Sequence, residues 1–348
     1  METVIIGLAS SGKTTIFNAL TAHAVSTGAA AKKQPHIADV SVPDSRIDRL
    51  SALYKPRKTT YANMVFRDQP LEYSEQGAIS AVSLAEVRRA DAIALVVRGF
   101  QSDSVVHPLK NVDALRDLRA VLDSLVFADF EIADKRISRL EKEAKRDSRE
   151  FRLLTDIADR LGKSQLLGKD YLSGEDARLF AGFGFLTAKP IFLVINTGEK
   201  NAETDSAAAE AAARGLSVFP IRGDMEMEIA QLADTDQKGF LADLGLEEPA
   251  KNRFLRAVYS TLRLQSFFTT GEDEVRAWSI REGTTAVKAA GVIHTDLEKG
   301  FIRAEVVPWE DLLEAGGSAQ AKKAGKLRLE GKDYVVKDGD VLLIRFNV

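Results

Sequence analysis

An α/β fold, in which a P-loop opens a mostly parallel sheet, is what this sequence predicts, on three observations. The chain begins with an apolar run, Val4-Ile5-Ile6, that passes straight into Gly7-Leu-Ala-Ser-Ser-Gly12-Lys13-Thr14, a complete Gly, four residues, Gly-Lys-Ser/Thr phosphate-binding pattern. Further apolar runs at 62–66, 92–97, 191–195 and 218–221 alternate with helical stretches, as parallel strands joined by crossover helices do. Between the runs at 92–97 and 191–195 a heptad-like helical segment intervenes, and from about residue 267 the pattern turns to short strands.

The opening motif carries the sharpest chemistry. Successive backbone N–H groups of such a loop curl around phosphate oxygens at a helix N-terminus, while the Lys13 ammonium adds a point charge and the Thr14 hydroxyl reaches Mg²⁺. Glycine is needed where a Cβ would block the approach. An ordinary Gly/Ser turn is the bland alternative, but the motif sits between a strand and an apolar-periodic helix carrying Ile16, Phe17 and Leu20, which is the context it requires. Ala9, Ser10, Ser11, Gly12, Lys13, Thr14 and Thr15 are thus the expected phosphate-binding residues.

A P-loop also needs a carboxylate to hold Mg²⁺, usually an Asp ending a buried strand. Asp68, closing Asn63-Met64-Val65-Phe66-Arg67-Asp68, fits that place, with a turn or cap residue as the alternative. Thr14 and Asp68 are therefore the expected metal pair. Base recognition belongs to the loop after a later strand at the sheet's carboxyl edge, where Ile191-Phe-Leu-Val-Ile195 runs into Asn196-Thr197-Gly198-Glu199. Guanine-specific proteins carry Asn-Lys-x-Asp there. Here the Lys is absent and Glu199 replaces Asp, which removes guanine's paired carboxylate and makes ATP the expected ligand over GTP. A surface turn explains Asn-x-x-Glu nearly as well.

The middle of the chain reads as helix. Phe130, Ala133, Ile137, Leu140 and Ala144 recur at alternating spacings of three and four, and Phe151, Leu154, Ala158 and Leu161 resume the seam. The polar stretch Lys145-Arg146-Asp147-Ser148-Arg149 interrupts it, so an antiparallel helical hairpin is expected, one long helix being the alternative. The expected domains are a nucleotide-binding domain at 1–124 and 186–265, a helical insertion at 125–185, and a small α+β domain at 266–348. The last shows alternating Val275, Ala277 and Ser279, a helical stretch, strands at 302–307 and 341–346, and turns at Gly316-Gly317-Ser318 and Lys337-Asp338-Gly339-Asp340.

Composition narrows the classes further. The 348 residues are 45% hydrophobic and 28% charged, as in globular proteins. There is no Cys, which excludes a disulfide framework, a thiolate metal site and a Cys nucleophile, and suits a reducing cytosol. The first strand begins too early to leave room for a signal peptide, and no apolar run approaches a membrane span, so a cytoplasmic protein without a membrane partner is expected. A net charge of −3 argues against a generally basic nucleic-acid binder, and no DNA partner is expected. The clusters Lys55-Pro-Arg57-Lys58 and Lys322, Lys323, Lys326, Arg328 read as solvated faces.

These residues resemble a family, the YchF-type P-loop proteins of the Obg-related group, nearly end to end. The resemblance is carried by residues 7–15, by His36-Ile-Ala-Asp-Val-Ser-Val-Pro-Asp44 with Arg46 and Asp48, by Asp91-Ala-Ile-Ala-Leu-Val-Val-Arg98, and by Leu186-Thr-Ala-Lys-Pro190 leading to Asn196 and Glu199. Its most specific part is C-terminal: Glu274-Val-Arg-Ala-Trp278, Ala290-Gly-Val-Ile-His-Thr295, Gly300-Phe-Ile-Arg-Ala-Glu305, Gly325-Lys-Leu-Arg-Leu-Glu-Gly-Lys-Asp-Tyr334 and Arg345-Phe-Asn-Val348. The resemblance implies a G-like domain interrupted by a coiled-coil hairpin and followed by a TGS domain of β-grasp form. It also implies ATP binding with Mg²⁺, slow hydrolysis and association with ribosomes. Thr197 resembles the position whose backbone helps hold adenine, and His107, in Val105-Val106-His107, the loop histidine proposed to orient water. A solvated loop histidine before Pro108 is the alternative.

Three departures from the family bear on chemistry. The family's Pro-Asn-Val-Gly-Lys-Ser is here Ala9-Ser10-Ser11-Gly12-Lys13-Thr14, which keeps the backbone cradle but lacks the Asn that helps bind a monovalent cation. The first switch reads Lys32-Lys33-Gln34-Pro35-His36 and lacks its Mg²⁺-binding Thr, for which Thr27 or the charge of Lys32 would have to substitute. The second, Asp-x-x-Gly in relatives, reads Asp68-Gln69-Pro70-Leu71, so a sensor that relies on glycine's backbone freedom is compromised. Two functions from different classes follow: a slow ATP hydrolase acting as a translation-associated switch, or a nucleotide-sensing adaptor that does not turn ATP over. A small-molecule kinase would add an arginine-rich lid, but the spacing of Arg136, Arg139 and Arg149 suits a coiled-coil flank better.

Overall fold

The computed structural model describes residues 1–21, 35–74 and 78–347, side chains at 234 and 235 excepted; Thr27, Lys32, Lys33 and Gln34 of the first switch lie outside them. The strands are β1 (Glu2–Ile6), β2 (His36–Ser41), β3 (Lys58–Thr60), β4 (Asn63–Asp68), β5 (Ala92–Arg98), β6 (Ile191–Asn196), β7 (Ser217–Ile221), β8 (Leu264–Thr270), β9 (Glu274–Arg281), β10 (Phe301–Pro308), β11 (Arg328–Glu330) and β12 (Asp340–Phe346). They form two sheets. The chain divides into two compact units, Met1–Asp39 with Val65–Phe254, and Val40–Met64 with Leu255–Val348.

The sheet that positions the site has the order β2-β4-β1-β5-β6-β7. β1 pairs in parallel with β4 and β5, β5 with β6, and β6 with β7. Every residue of β5 is buried, as a central parallel strand covered on both faces must be, and this is why its sequence is apolar throughout until Arg98. The register sets Ile5 opposite Asp68, Arg98 opposite Asn196, and Asn196 opposite Ile221. Parallel pairing thus delivers the carboxyl ends of β4, β1, β5, β6 and β7 to one edge, where an open α/β sheet binds its ligand.

The helical segment is a hairpin. Helix α4 (Ala114–Lys142) is capped by Asp113, whose carboxylate accepts from the Arg116 N–H, and the returning α5 (Arg149–Gly162) by Ser148, whose hydroxyl accepts from the Phe151 N–H at 3.1 Å. The polar stretch makes the turn, with Ala144 at φ 54°. Ala133, Leu140, Leu154, Ile157 and Leu161 bury the seam together with Leu167, Phe180 and Phe185. The first half of α4 belongs to the sheet instead, since Leu118, Val121, Leu122 and Leu125 pack into its core. Arg136 is spent on Glu150 at 2.6 Å and Arg149 on Glu175 and Asp176, flank ion pairs rather than a lid.

The second unit carries a sheet of order β11-β10-β12-β8-β9-β3. β8 and β9 are antiparallel, β12 runs parallel to β8, and β10 pairs antiparallel with both β12 and β11. The helix Ala286–Ile293 lays Ala286, Ala289 and Ala290 against Phe267, Ile280, Ala304, Val306 and Leu342, completing a β-grasp. β8 and β11 were not legible as strands in the sequence, and β3, which adds to β9 in parallel, is a further edge strand from residues 58–60. His294 caps the next short helix through its Nδ1.

One buried carboxylate fastens the hairpin to the sheet. Asp129 is fully buried in α4 and accepts from the Leu186 and Thr187 N–H groups at 3.0 and 2.8 Å, the Thr187 hydroxyl at 2.8 Å and Arg88 Nη1 at 2.6 Å. Removing it leaves two buried amides without their acceptor and takes the carboxylate from the half-buried Arg88 guanidinium. Asp129→Ala is therefore expected to cost about 3–5 kcal/mol in urea unfolding, and Asp129→Asn, which keeps an acceptor, clearly less; equal small losses would contradict this role.

Candidate functional site

The P-loop bridges β1 and helix α1 (Lys13–Thr21). Both motif glycines are sterically compelled. Gly7 has φ 147° and a Cβ there would lie 2.1 Å from the Val96 carbonyl oxygen; Gly12 has φ 90° and its Cβ would lie 2.0 Å from Asn196 Nδ2. Ser10 also sits in the left-handed region, at φ 61°. Within this tight course the Ser11 N–H donates to the Leu8 carbonyl at 3.3 Å and the Ile16 N–H to the Gly12 carbonyl at 2.9 Å, where the helix begins.

Lys13 is aimed by the loop itself. Its Nζ donates to the Gly7 and Leu8 carbonyls, both at 2.8 Å. Burial lowers its pKa to about 8, the Asp68 carboxylate offsetting part of that. Next in sequence, the Thr14 hydroxyl donates to Asp68 Oδ2 at 2.7 Å, so the two expected metal-holding side chains meet. One hydroxyl and one carboxylate is a donor set that suits Mg²⁺, which fills the rest of its octahedron with phosphate oxygens and water. No cluster of three or more acidic or His residues forms a closed cage among the described residues.

At the other end of the cradle Asn196, 3% exposed, donates from Nδ2 to the Ser11 carbonyl at 3.1 Å and accepts at Oδ1 from the Gly223 N–H at 3.2 Å. It joins phosphate loop, base loop and the turn after β7. The Thr197 N–H is engaged by the Ile221 carbonyl at 3.0 Å. Glu199 is 83% exposed and stands 3.5 Å from Arg222 Nη2, on the rim rather than inside.

Two residues were missed in the sequence. Phe100 lies directly against the site: a Cβ on Gly198 would come within 2.9 Å of Phe100 Cβ, and one on Gly12 within 3.9 Å of its ring. The Arg98 guanidinium stacks on that ring at 4.5 Å and holds the Phe100 and Val105 carbonyls at 3.1 and 2.9 Å. An aromatic residue just beyond a buried strand's carboxyl end was the available signal. The other is Tyr73, whose hydroxyl donates to the Gly7 carbonyl and whose ring centre is 5.8 Å from Lys13 Nζ. Nothing in its local sequence marks it.

His107 is neither solvated nor free. It is 4% exposed, its Nδ1 accepts from the Leu109 N–H at 3.1 Å, and the proton this leaves on Nε2 points to Asp117 Oδ2 at 2.8 Å. Asp117 is also buried and takes Arg116 Nη2 at 2.7 Å on its other oxygen. Both ring nitrogens are thus committed within the loop leading to α4, and neither is available to a water.

Comparison with known proteins finds relatives that match over nearly the whole chain. The family model YchF-GTPase_C, described as a protein of unknown function, matches residues 264–347. A Haemophilus influenzae protein named ribosome-binding ATPase YchF is 40% identical over 357 residues, covering 99% of this chain and 98% of the relative. A Bacillus subtilis protein of the same name is 37% identical over 364 residues with the same coverage. The solved structure of the Schizosaccharomyces pombe YchF GTPase matches with a TM-score of 0.87 at 29% identity, covering 99% of this chain and 97% of that one.

The depressed Lys13 pKa has a measurable consequence. The ammonium form binds phosphate better than the neutral amine, so nucleotide affinity is expected to weaken as the pH rises through about 8. Calorimetric titrations of ATP on either side of that pH check it. Affinity that stays flat to pH 10 in the wild type would contradict a desolvated Lys13.

Proposed function

This chain belongs to the YchF family, and from that premise we propose that it is a slow, ATP-preferring hydrolase acting in the cytoplasm as a nucleotide-dependent regulator on ribosomes. The observation that carries the reading is the meeting of Thr14 with Asp68 beside a Lys13 already aimed by the loop carbonyls. The amides of residues 9–15 and the Lys13 ammonium hold the phosphates. Thr14 and Asp68 hold Mg²⁺, which when bound neutralises charge on the terminal phosphate oxygens. No helix of the described chain is long and apolar enough to cross a membrane.

Base preference follows from which main-chain groups remain. With its N–H bonded to Ile221, Thr197 has only a carbonyl to offer a base, and an acceptor suits the exocyclic amine of adenine rather than the oxygen of guanine. Glu199, turned outward to Arg222, does not supply the buried carboxylate that guanine's imino and amino groups need. The Phe100 ring offers an apolar face on which either base could lie.

Slow turnover is consistent with His107. To orient water it would have to give up at least one of its two hydrogen bonds, and its burial beside Asp117 makes that an infrequent event. The same observation favours a second reading, a nucleotide-sensing adaptor without turnover.

Phosphate release measured with and without ribosomes separates the two. For the hydrolase, wild-type protein releases phosphate slowly and faster on ribosomes, and Lys13→Ala abolishes release. No release attributable to the site in any condition leaves the adaptor. For the base, Glu199→Asp combined with Thr197→Lys is expected to shift preference toward GTP; unchanged selectivity would contradict the assignment.

A further inference from the structure

We propose that the Tyr73 hydroxyl is this site's γ-phosphate donor, the group through which the protein tells a triphosphate from a diphosphate. The proposal rests on the reading of the P-loop as a nucleotide site and adds a residue to it. In P-loop switches the sensor is ordinarily a main-chain N–H at the glycine of Asp-x-x-Gly, free to swing because glycine is free to turn. Here that position is Leu71, and its side chain packs against the core of the first sheet.

The backbone that follows Leu71 is pinned. The Glu72 N–H donates to Ser83 Oγ at 2.9 Å and the Ser80 N–H to the Glu72 carbonyl at 2.9 Å; the Ser74 N–H donates to the Ala78 carbonyl at 2.8 Å, and the Ile79 N–H to Ser124 Oγ at 3.1 Å. These bonds fix the segment from Glu72 onward, and the Leu71 side chain denies the sensor position glycine's freedom to turn. What the loop presents is Tyr73. The hydroxyl donates to the Gly7 carbonyl, the same oxygen that receives Lys13 Nζ at 2.8 Å. Two donors on one acceptor are close neighbours, and the ring centre lies 5.8 Å from the ammonium.

Lys13 is the side chain that meets the outer phosphates, so its neighbour stands at the γ end of the cradle. The base end lies elsewhere, at Asn196, Gly198 and Phe100. A phenol O–H turns about its C–O bond without moving the ring. It can therefore leave a neutral carbonyl for a charged phosphate oxygen, the stronger acceptor. Burial, with the Asp68 carboxylate nearby, pushes the Tyr73 pKa above its ordinary value, so the group stays a donor across the working pH range. Bracing Gly7 alone would support either nucleotide equally.

The experiment is calorimetric titration of the full-length wild type and Tyr73→Phe with Mg·ADP and with a non-hydrolysable Mg·ATP analogue carrying an imido bridge. The expected result is a loss of about 10- to 100-fold in affinity for the triphosphate analogue, with ADP changed less than twofold. Equal weakening for both nucleotides would show a brace on Gly7 and overturn the proposal, as would no change in either. A wild type that binds neither nucleotide would overturn the nucleotide-site reading itself, and Tyr73's part with it.

Discussion

Everything at this site depends on the close passage of the phosphate loop over the carboxyl end of β6. Gly12 approaches Asn196 so nearly that no other residue fits, and Asn196 in turn bonds Ser11 on one side and Gly223 on the other. One buried amide thus holds three loops in register. Such a group is costly unless fully paired, and here both ends of it are. The left-handed backbone of Ser10, between the permissive Gly7 and Gly12, is sustained by that packing. The loop is therefore held in one course by its packing against β6.

The parts that ordinarily move have been altered more than the parts that hold. The fixed elements, Lys13 on its two carbonyls and Thr14 on Asp68, keep the geometry that the motif demands. The second switch is tied into the body of the unit at Glu72, Ser80 and Ile79, and His107 is closed on Asp117. The slow turnover proposed for this chain is in keeping with such an arrangement. A ligand can shift a conformational equilibrium only by its differential affinity for the two states, and the pinned loop leaves side chains, rather than backbone, to supply that difference.

The legible part of this molecule was the part governed by local rules. The P-loop, the parallel strands at 92–97 and 191–195 and the hairpin seam were readable because burial on both faces and three-four periodicity leave direct marks in sequence. Asp68 was readable from its place after a strand. β8 and β11 were not, and neither was β3, whose three residues are a strand only because β9 lies beside them. His107 could be located but not interpreted, since its burial depends on Asp117 one helical entry later. Phe100 and Tyr73 reach the site through loops whose course is set by Arg98 and by Ser83 and Ser124, contacts that no spacing rule anticipates.

The central claim is that the amides of residues 9–15 form the phosphate cradle, and hydrogen–deuterium exchange with and without Mg·ATP tests it most directly. The account predicts slowed exchange across residues 9–15 and at 197–201 on adding nucleotide, abolished in Lys13→Ala, with β8 and β9 unaffected. Unchanged exchange across residues 9–15 at saturating nucleotide would contradict it.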